Sequence, residues 1–162
     1  MTITTLAFLT PGNFPDDDPY AGLDLLAGNI VSGEGTEDFV TAQLAHIAEY
    51  RRIIGRPSRI AVGRVVVPLD SADRATRRRY LEYAAARHER TLKPHGERRT
   101  LFAPDVVGTT AEIVDRLRAD AAVQAVDELR LELPYEFDRA QYEQILHDVV
   151  GSVAPALGWR RA

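Results

Sequence analysis

The run Leu-Arg-Leu-Glu-Leu-Pro-Tyr at 129–135 does most to limit what this chain can become. Leu129, Leu131 and Leu133 alternate with Arg130 and Glu132, so an extended segment here sends leucines to one face and an opposed pair of charges to the other. Helix-like sequence flanks it on both sides. A strand between helices belongs to a sheet that helices cover. The leucines then lie beneath the helices, and the charges point into a barrel or cleft, where α/β proteins keep their chemistry.

The rest of the chain repeats the pattern. Ile3 to Thr10 is a β-branched and apolar run closed by Pro11-Gly12, a strand entering a turn. Residues 11–22 form a loop rich in proline and glycine, and its Asp16-Asp17-Asp18 favours a solvated loop over a cation site because adjacent side chains diverge. Leu23 to Val31 is a second strand. Thr36 is the expected N-cap of a helix from Glu37 to Ile54, with Gly33-Glu34-Gly35 just ahead of it. A glycine loop opening a helix can cradle phosphate, but this spacing matches neither the dinucleotide nor the P-loop pattern, and Glu34 repels an anion.

Gly55 ends that helix, and Arg59 to Val67, closed by Pro68, has the near-continuous apolar character of a strand buried on both faces. Arg64 interrupts it and needs a partner, for which Glu132 is the candidate, as a structural ion pair ahead of a catalytic one. Ser71 is placed to cap a helix from Ala72 to about Leu92, with its arginines on a solvated face, and Lys93 to Arg99 is a polar break. Thr109 and Glu112 form a capping box for a helix through about Ala119, and Asp138 with Gln141 opens a last helix that Pro155 stops. Strands alternating with helices predict a parallel sheet with right-handed crossovers.

At 162 residues and 45% hydrophobic content the chain forms one domain, 1–162. A net charge of -4 argues against a nucleic-acid partner. The absence of cysteine removes disulfides, thiolate metal sites and thiol catalysis. His46, His88, His95 and His147 have no ligand spacing, so no metal site is expected, and no Gly-x-Ser-x-Gly elbow occurs. No apolar run approaches the roughly 18 residues of a membrane span, and the start lacks a basic leader, which predicts a cytoplasmic protein without membrane contact.

Two blocks carry a resemblance. Residues 4–20, with Leu-Ala-Phe-Leu-Thr-Pro-Gly at 6–12, are similar to the first strand and loop of bacterial-luciferase-like flavin monooxygenases. Residues 23–162 are similar to the C-terminal part of the same family, through Leu-Leu-Ala-Gly-Asn-Ile-Val (25–31), Ser-Arg-Ile-Ala-Val-Gly-Arg-Val-Val-Val-Pro (58–68), Val-Gly-Thr-Thr-Ala-Glu-Ile-Val-Asp-Arg-Leu (107–117) and Glu-Leu-Arg-Leu-Glu-Leu-Pro (128–134).

The resemblance implies a partial, half TIM-type (β/α) barrel: four mainly parallel strands with covering helices, residues 1–22 giving the first strand and loop, and 23–162 the C-terminal half. The second to fifth strands of the family's barrel are absent, and with them most of the flavin-phosphate contacts. Strands six, seven, eight and one are neighbours in a closed barrel, so two copies about a two-fold axis would supply eight strands, and a homodimer is expected; the rivals are an open four-stranded sheet covered by its own helices and pairing with another subunit of the family. The implied activity is oxidation by reduced flavin and oxygen, with FMN or a deazaflavin as cofactor, a flavin reductase as possible partner and a small organic substrate. The alternative is a non-catalytic flavin- or partner-binding half barrel. By strand position the pocket-lining candidates are Phe8, Thr10, Asn29, Arg64, Glu132 and Tyr135. No motif fixes a catalytic base.

Overall fold

The structure, a computed structural model, describes the backbone of Ala7–Leu9 and residues 24–55 and 57–159. Thr10 and the acidic run at 16–18 lie outside the described residues.

The first strand, β1 (Ala7–Leu9), is followed by β2 (Asp24–Ala27) and β3 (Ile30–Ser32). The expected strand over 23–31 is thus two strands, parted at Gly28-Asn29, where the chain turns out of one sheet and into another. Helix α1 (Phe39–Ile54) begins at Asp38, whose carboxylate accepts from Thr41 N–H, and ends at Gly55 in the left-handed conformation. Thr36 sits two residues too early to cap it; its hydroxyl oxygen accepts from Asp38 N–H instead. The next apolar run also divides, into β4 (Ile60–Arg64) and β5 (Val66–Pro68), every residue buried. The division falls at Val65, whose carbonyl accepts from Val106 N–H at 2.8 Å as the chain turns toward a new neighbour.

Helix α2 (Arg74–His88) is capped by Asp73 rather than Ser71, whose hydroxyl donates to Asp148 at 2.7 Å. The polar break ends in β6 (Thr100–Phe102), followed by β7 (Val106–Gly108), three-residue strands too short to show a period in sequence. Helix α3 (Thr110–Ala119) carries the anticipated Thr109–Glu112 capping box, and a short α4 (Ala121–Gln124) precedes β8 (Glu128–Leu131). Helix α5 (Arg139–Asp148) opens on the Asp138–Gln141 box. Pro155 does not stop the helical path. A π turn over Val149–Val153 resets the hydrogen bonding, and Pro155 then occupies the first turn of α6 (Ala154–Ala156), where its missing N–H costs nothing.

Strands β1, β2, β4 and β8 form one sheet in that order, and every neighbouring pair is parallel. Order in space equals order in the chain, the pattern of strands added one after another in the same direction. The described strands do not close into a barrel: β1 and β8 are free edges. The expectation that the first strand lies beside the last is corrected, since β1 pairs with β2, its successor in sequence, and consecutive strands are usually neighbours. Two small sheets extend the carboxyl end, β3 antiparallel to β6 and β5 parallel to β7.

Burial follows the strand pleat. Leu25, Ile60 and Val62 pack against Ile47 and Tyr50 of α1, while Val65–Val67, Tyr80, Ile113, Leu117, Phe137 and Ile145 form a second core beneath α2, α3 and α5. Leu129, Leu131 and Leu133 pack toward these helices, as their alternation with charges requires. Among the described residues no helix is long and apolar enough to cross a membrane.

Candidate functional site

Register decides which charges can meet. In the β4–β8 pair Val62 lies beside Leu129 and Arg64 beside Leu131, on the helix-covered face; Ala61 lies beside Glu128 and Gly63 beside Arg130, on the other. Glu132, one residue past β8, continues the ladder through its N–H to the Arg64 carbonyl at 2.9 Å, and its side chain falls on the face of Gly63. Arg64 and Glu132 therefore belong to opposite faces. The ion pair expected between them is absent; Arg64 pairs with Asp120, Nε to Oδ2 at 2.8 Å.

The site at the carboxyl end of the sheet is built around Glu132. Its Oε1 accepts from the backbone N–H of Asn29 at 3.1 Å. A Cβ on Gly63 would stand 1.8 Å from that same oxygen and 3.2 Å from the Cα of Gly28. The carboxylate thus lies across two glycines at the ends of neighbouring parallel strands, in space that any larger residue at 63 would fill. Burial pushes its pKa up, against the smaller opposing pull of the Asn29 N–H and the positive charge of Arg64, with Asp105 adding to the rise. Among the described residues it forms no ion pair.

A buried polar relay behind the sheet holds the Gly28-Asn29 turn in place. Arg64, 1% exposed, donates from one terminal nitrogen to the Gly63 carbonyl and from the other to Gln43 Oε1 at 2.7 Å, while Gln43 Nε2 donates to the Gly28 carbonyl at 2.8 Å. The Phe39 ring lies 5.2 Å from the guanidinium carbon, and Asp120 also accepts from the N–H groups of Ala122 and Val123 at the start of α4. On the far side of the turn, the Asn29 carbonyl accepts from Ala103 N–H at 2.9 Å. Asn29 thus reaches Glu132 through its backbone.

The structure brings together Asn29 and Glu132, with Arg64 supporting from behind. Tyr135 is 99% exposed in the turn after β8. Phe8 pairs in register with Leu25 in β1, and only its strand position is described. Gly28, Gly63, Gln43 and Asp120 were not anticipated. Gly63 had a signal, since a glycine inside an apolar strand marks a close approach. So did Gln43, which falls between Phe39 and Ile47 at four-residue spacing, a polar group on the apolar stripe of α1.

In the glycine loop before α1 the Gly33 N–H is already taken: the Arg99 carbonyl accepts it at 2.8 Å, and a Cβ on Gly33 would stand 2.7 Å from that oxygen. Among the described residues no cluster of His, Asp and Glu could hold a metal ion. A half-buried carboxylate of raised pKa can accept an N–H from a ligand or hold a proton. The chain matches no protein-family model, no curated protein and no solved structure.

Proposed function

We propose that this chain is a flavin-binding half (β/α) barrel of the luciferase-like monooxygenase kind, holding FMN or a deazaflavin at the carboxyl ends of its parallel strands. The observation that supports this most is the Glu132 carboxylate held over Gly63 by the Asn29 N–H. A flavin presents a ring N–H between two carbonyls. Glu132 would accept that N–H, its carboxylate seated over the small residues at 28 and 63. Bound and reduced, FMN would supply electrons to oxygen, one oxygen atom going to a small organic molecule and the other to water, with a separate reductase as donor; a reduced deazaflavin would instead supply hydride to an organic acceptor.

Binding without turnover is the second reading, and particular residues favour it. Arg64 is committed to Asp120 and Gln43, and Tyr135 faces solvent, so neither is placed to act on a substrate.

Titration with FMN and with a 5-deazaflavin, followed by quenching of ligand fluorescence, tests the reading. Saturable binding is expected, weakened roughly ten- to a hundredfold by Glu132→Ala, the loss of a hydrogen bond to a charged group. The absence of saturable binding of either flavin overturns it. For FMN, oxygen uptake in the presence of a reductase then separates enzyme from binding module.

A further inference from the structure

Arg87 and Arg90 stand about one turn apart where α2 runs into a short 3-10 turn, Glu89–Thr91, and each lies over an aromatic ring. Only one of them is neutralised. The Arg87 guanidinium carbon is 4.5 Å from the Tyr83 ring centre, and its Nε donates to Asp105 at 2.7 Å. The Arg90 guanidinium carbon is 4.6 Å from the Phe102 ring centre, and among the described residues it has no carboxylate partner. Its Nε is shut off from water and meets no hydrogen-bond acceptor there. The ring cannot fill that role, since its face attracts the charge but offers the N–H no lone pair of an oxygen. A buried donor of a cation left in this state is costly, and an anion removes the cost.

Arg90 borders the site of Glu132. Phe102 pairs in register with Ile30, the residue after Asn29, and the Asn29 carbonyl accepts from Ala103 N–H. Val31 and Leu101 turn toward α1, so Ile30 and Phe102 face the other way, and Ile30 is 52% exposed. An apolar shelf therefore runs from the Asn29–Glu132 contact to the Arg90 guanidinium. The His95 ring holds its far end, edge-on to Phe102 at 5.8 Å and hydrogen-bonded to the Arg90 carbonyl at 3.0 Å. The Asp105 charge that adds to the rise of the Glu132 pKa sets the Arg87 pair beside the same site. Between residues 87 and 99 the chain carries five arginines and lysines against two glutamates, a local excess of positive charge that draws anions to a chain of net charge -4.

We infer that Arg90 binds the phosphate monoester of a ligand whose apolar part lies along Ile30 and Phe102 and whose ring N–H reaches Glu132. The planar guanidinium presents parallel N–H groups that match two phosphate oxygens, and stacking on Phe102 fixes the plane of that fork in advance. For the ring the inference rests on the flavin reading; the anion site itself rests on Arg90.

Comparing FMN with riboflavin, the same ring system without the phosphate, tests this by fluorescence titration of the wild type and Arg90→Ala. FMN should bind the wild type roughly ten- to a hundredfold more tightly than riboflavin, the scale of hydrogen bonds to a charged group. Arg90→Ala should bring FMN to the riboflavin level and leave riboflavin unchanged, which also shows that the variant is folded. Equal affinity of the wild type for the two flavins overturns the proposal, as does a variant that weakens both alike or neither. Inorganic phosphate separates the anion site from the ring reading. It should raise the melting temperature of the wild type and not that of Arg90→Ala. If neither flavin binds, the ring reading at Glu132 falls, and such a variant-sensitive rise keeps the phosphate site. No rise, or a rise that Arg90→Ala retains, overturns it.

Discussion

Glu132 is a carboxylate whose environment disfavours its charge, and two consequences follow at that residue. Because its folded pKa is raised above the ordinary 4.5, the folded state holds this proton at pH values where the unfolded state has released it. Stability from this group is therefore full below pH about 4.5 and declines as pH rises through the folded pKa. Glu132→Gln keeps an acceptor for Asn29 and removes the charge. The variant should match the wild type in acid and melt above it at neutral pH, a gap that thermal denaturation across pH 4 to 8 measures. Gly63→Ala acts on the same group from below. Its methyl would strike the movable end of Glu132 first, so the carboxylate is displaced before the strand is broken. The expected cost is about 1 kcal/mol, the low end for overpacking, together with loss of flavin binding. In a Glu132→Ala background the same substitution should cost less, and a double-mutant cycle by chemical denaturation reads that coupling.

At the scale of elements, Arg64 joins β4 to α1 through Gln43 and to the start of α4 through Asp120. Asp120→Asn preserves an acceptor for the N–H groups of α4 and removes the charge opposite a buried guanidinium. Urea denaturation should show a loss approaching 3 kcal/mol, the scale for stranding one member of a buried pair. Thr109→Ala, which removes an exposed helix cap, should cost about 1 kcal/mol by the same measurement. The contrast explains what the sequence disclosed. Capping boxes at Thr109 and Asp138 are local and were legible, because donor and acceptor lie three residues apart. Arg64 was legible as a buried charge, but its partner was not. Choosing between Glu132 and Asp120 required knowing that residues 64 and 132 fall on opposite faces, and that parity depends on a register between strands far apart in sequence. Strands β6 and β7 were hidden for a related reason, since three residues carry no period and their pairing is set by β3 and β5.

For the molecule as a whole, alternation of apolar runs with amphipathic helices was enough to predict a parallel sheet covered by helices. The place of β1 was not recoverable that way, because sequence says which strands exist and the lengths of their connections decide which become neighbours. What ties the helical layer to the small β5–β7 sheet is a buried network around Asp148. Its two oxygens accept from the Ser71 N–H at 3.0 Å, the Ser71 hydroxyl at 2.7 Å and Gln144 at 2.8 Å; Gln144 in turn donates to the Pro68 carbonyl and accepts from the Tyr80 hydroxyl. Burial raises the Tyr80 pKa to about 12, with the Asp138 charge adding to it, so this donor keeps its proton. Burial also acts to raise the Asp148 pKa, but the Ser71 and Gln144 donors outweigh it and hold the carboxyl below its ordinary 3.8. The stabilisation is therefore present above pH about 3.8 and is lost as pH falls through the lower folded value, opposite in sign to the effect at Glu132. Asp148→Asn keeps one acceptor and should cost roughly 1–3 kcal/mol at neutral pH. That deficit should shrink as the wild type is acidified, and thermal denaturation from pH 7 down to 3 checks it. A deficit independent of pH would assign the loss to packing rather than to the charge that links α2, α5 and β5.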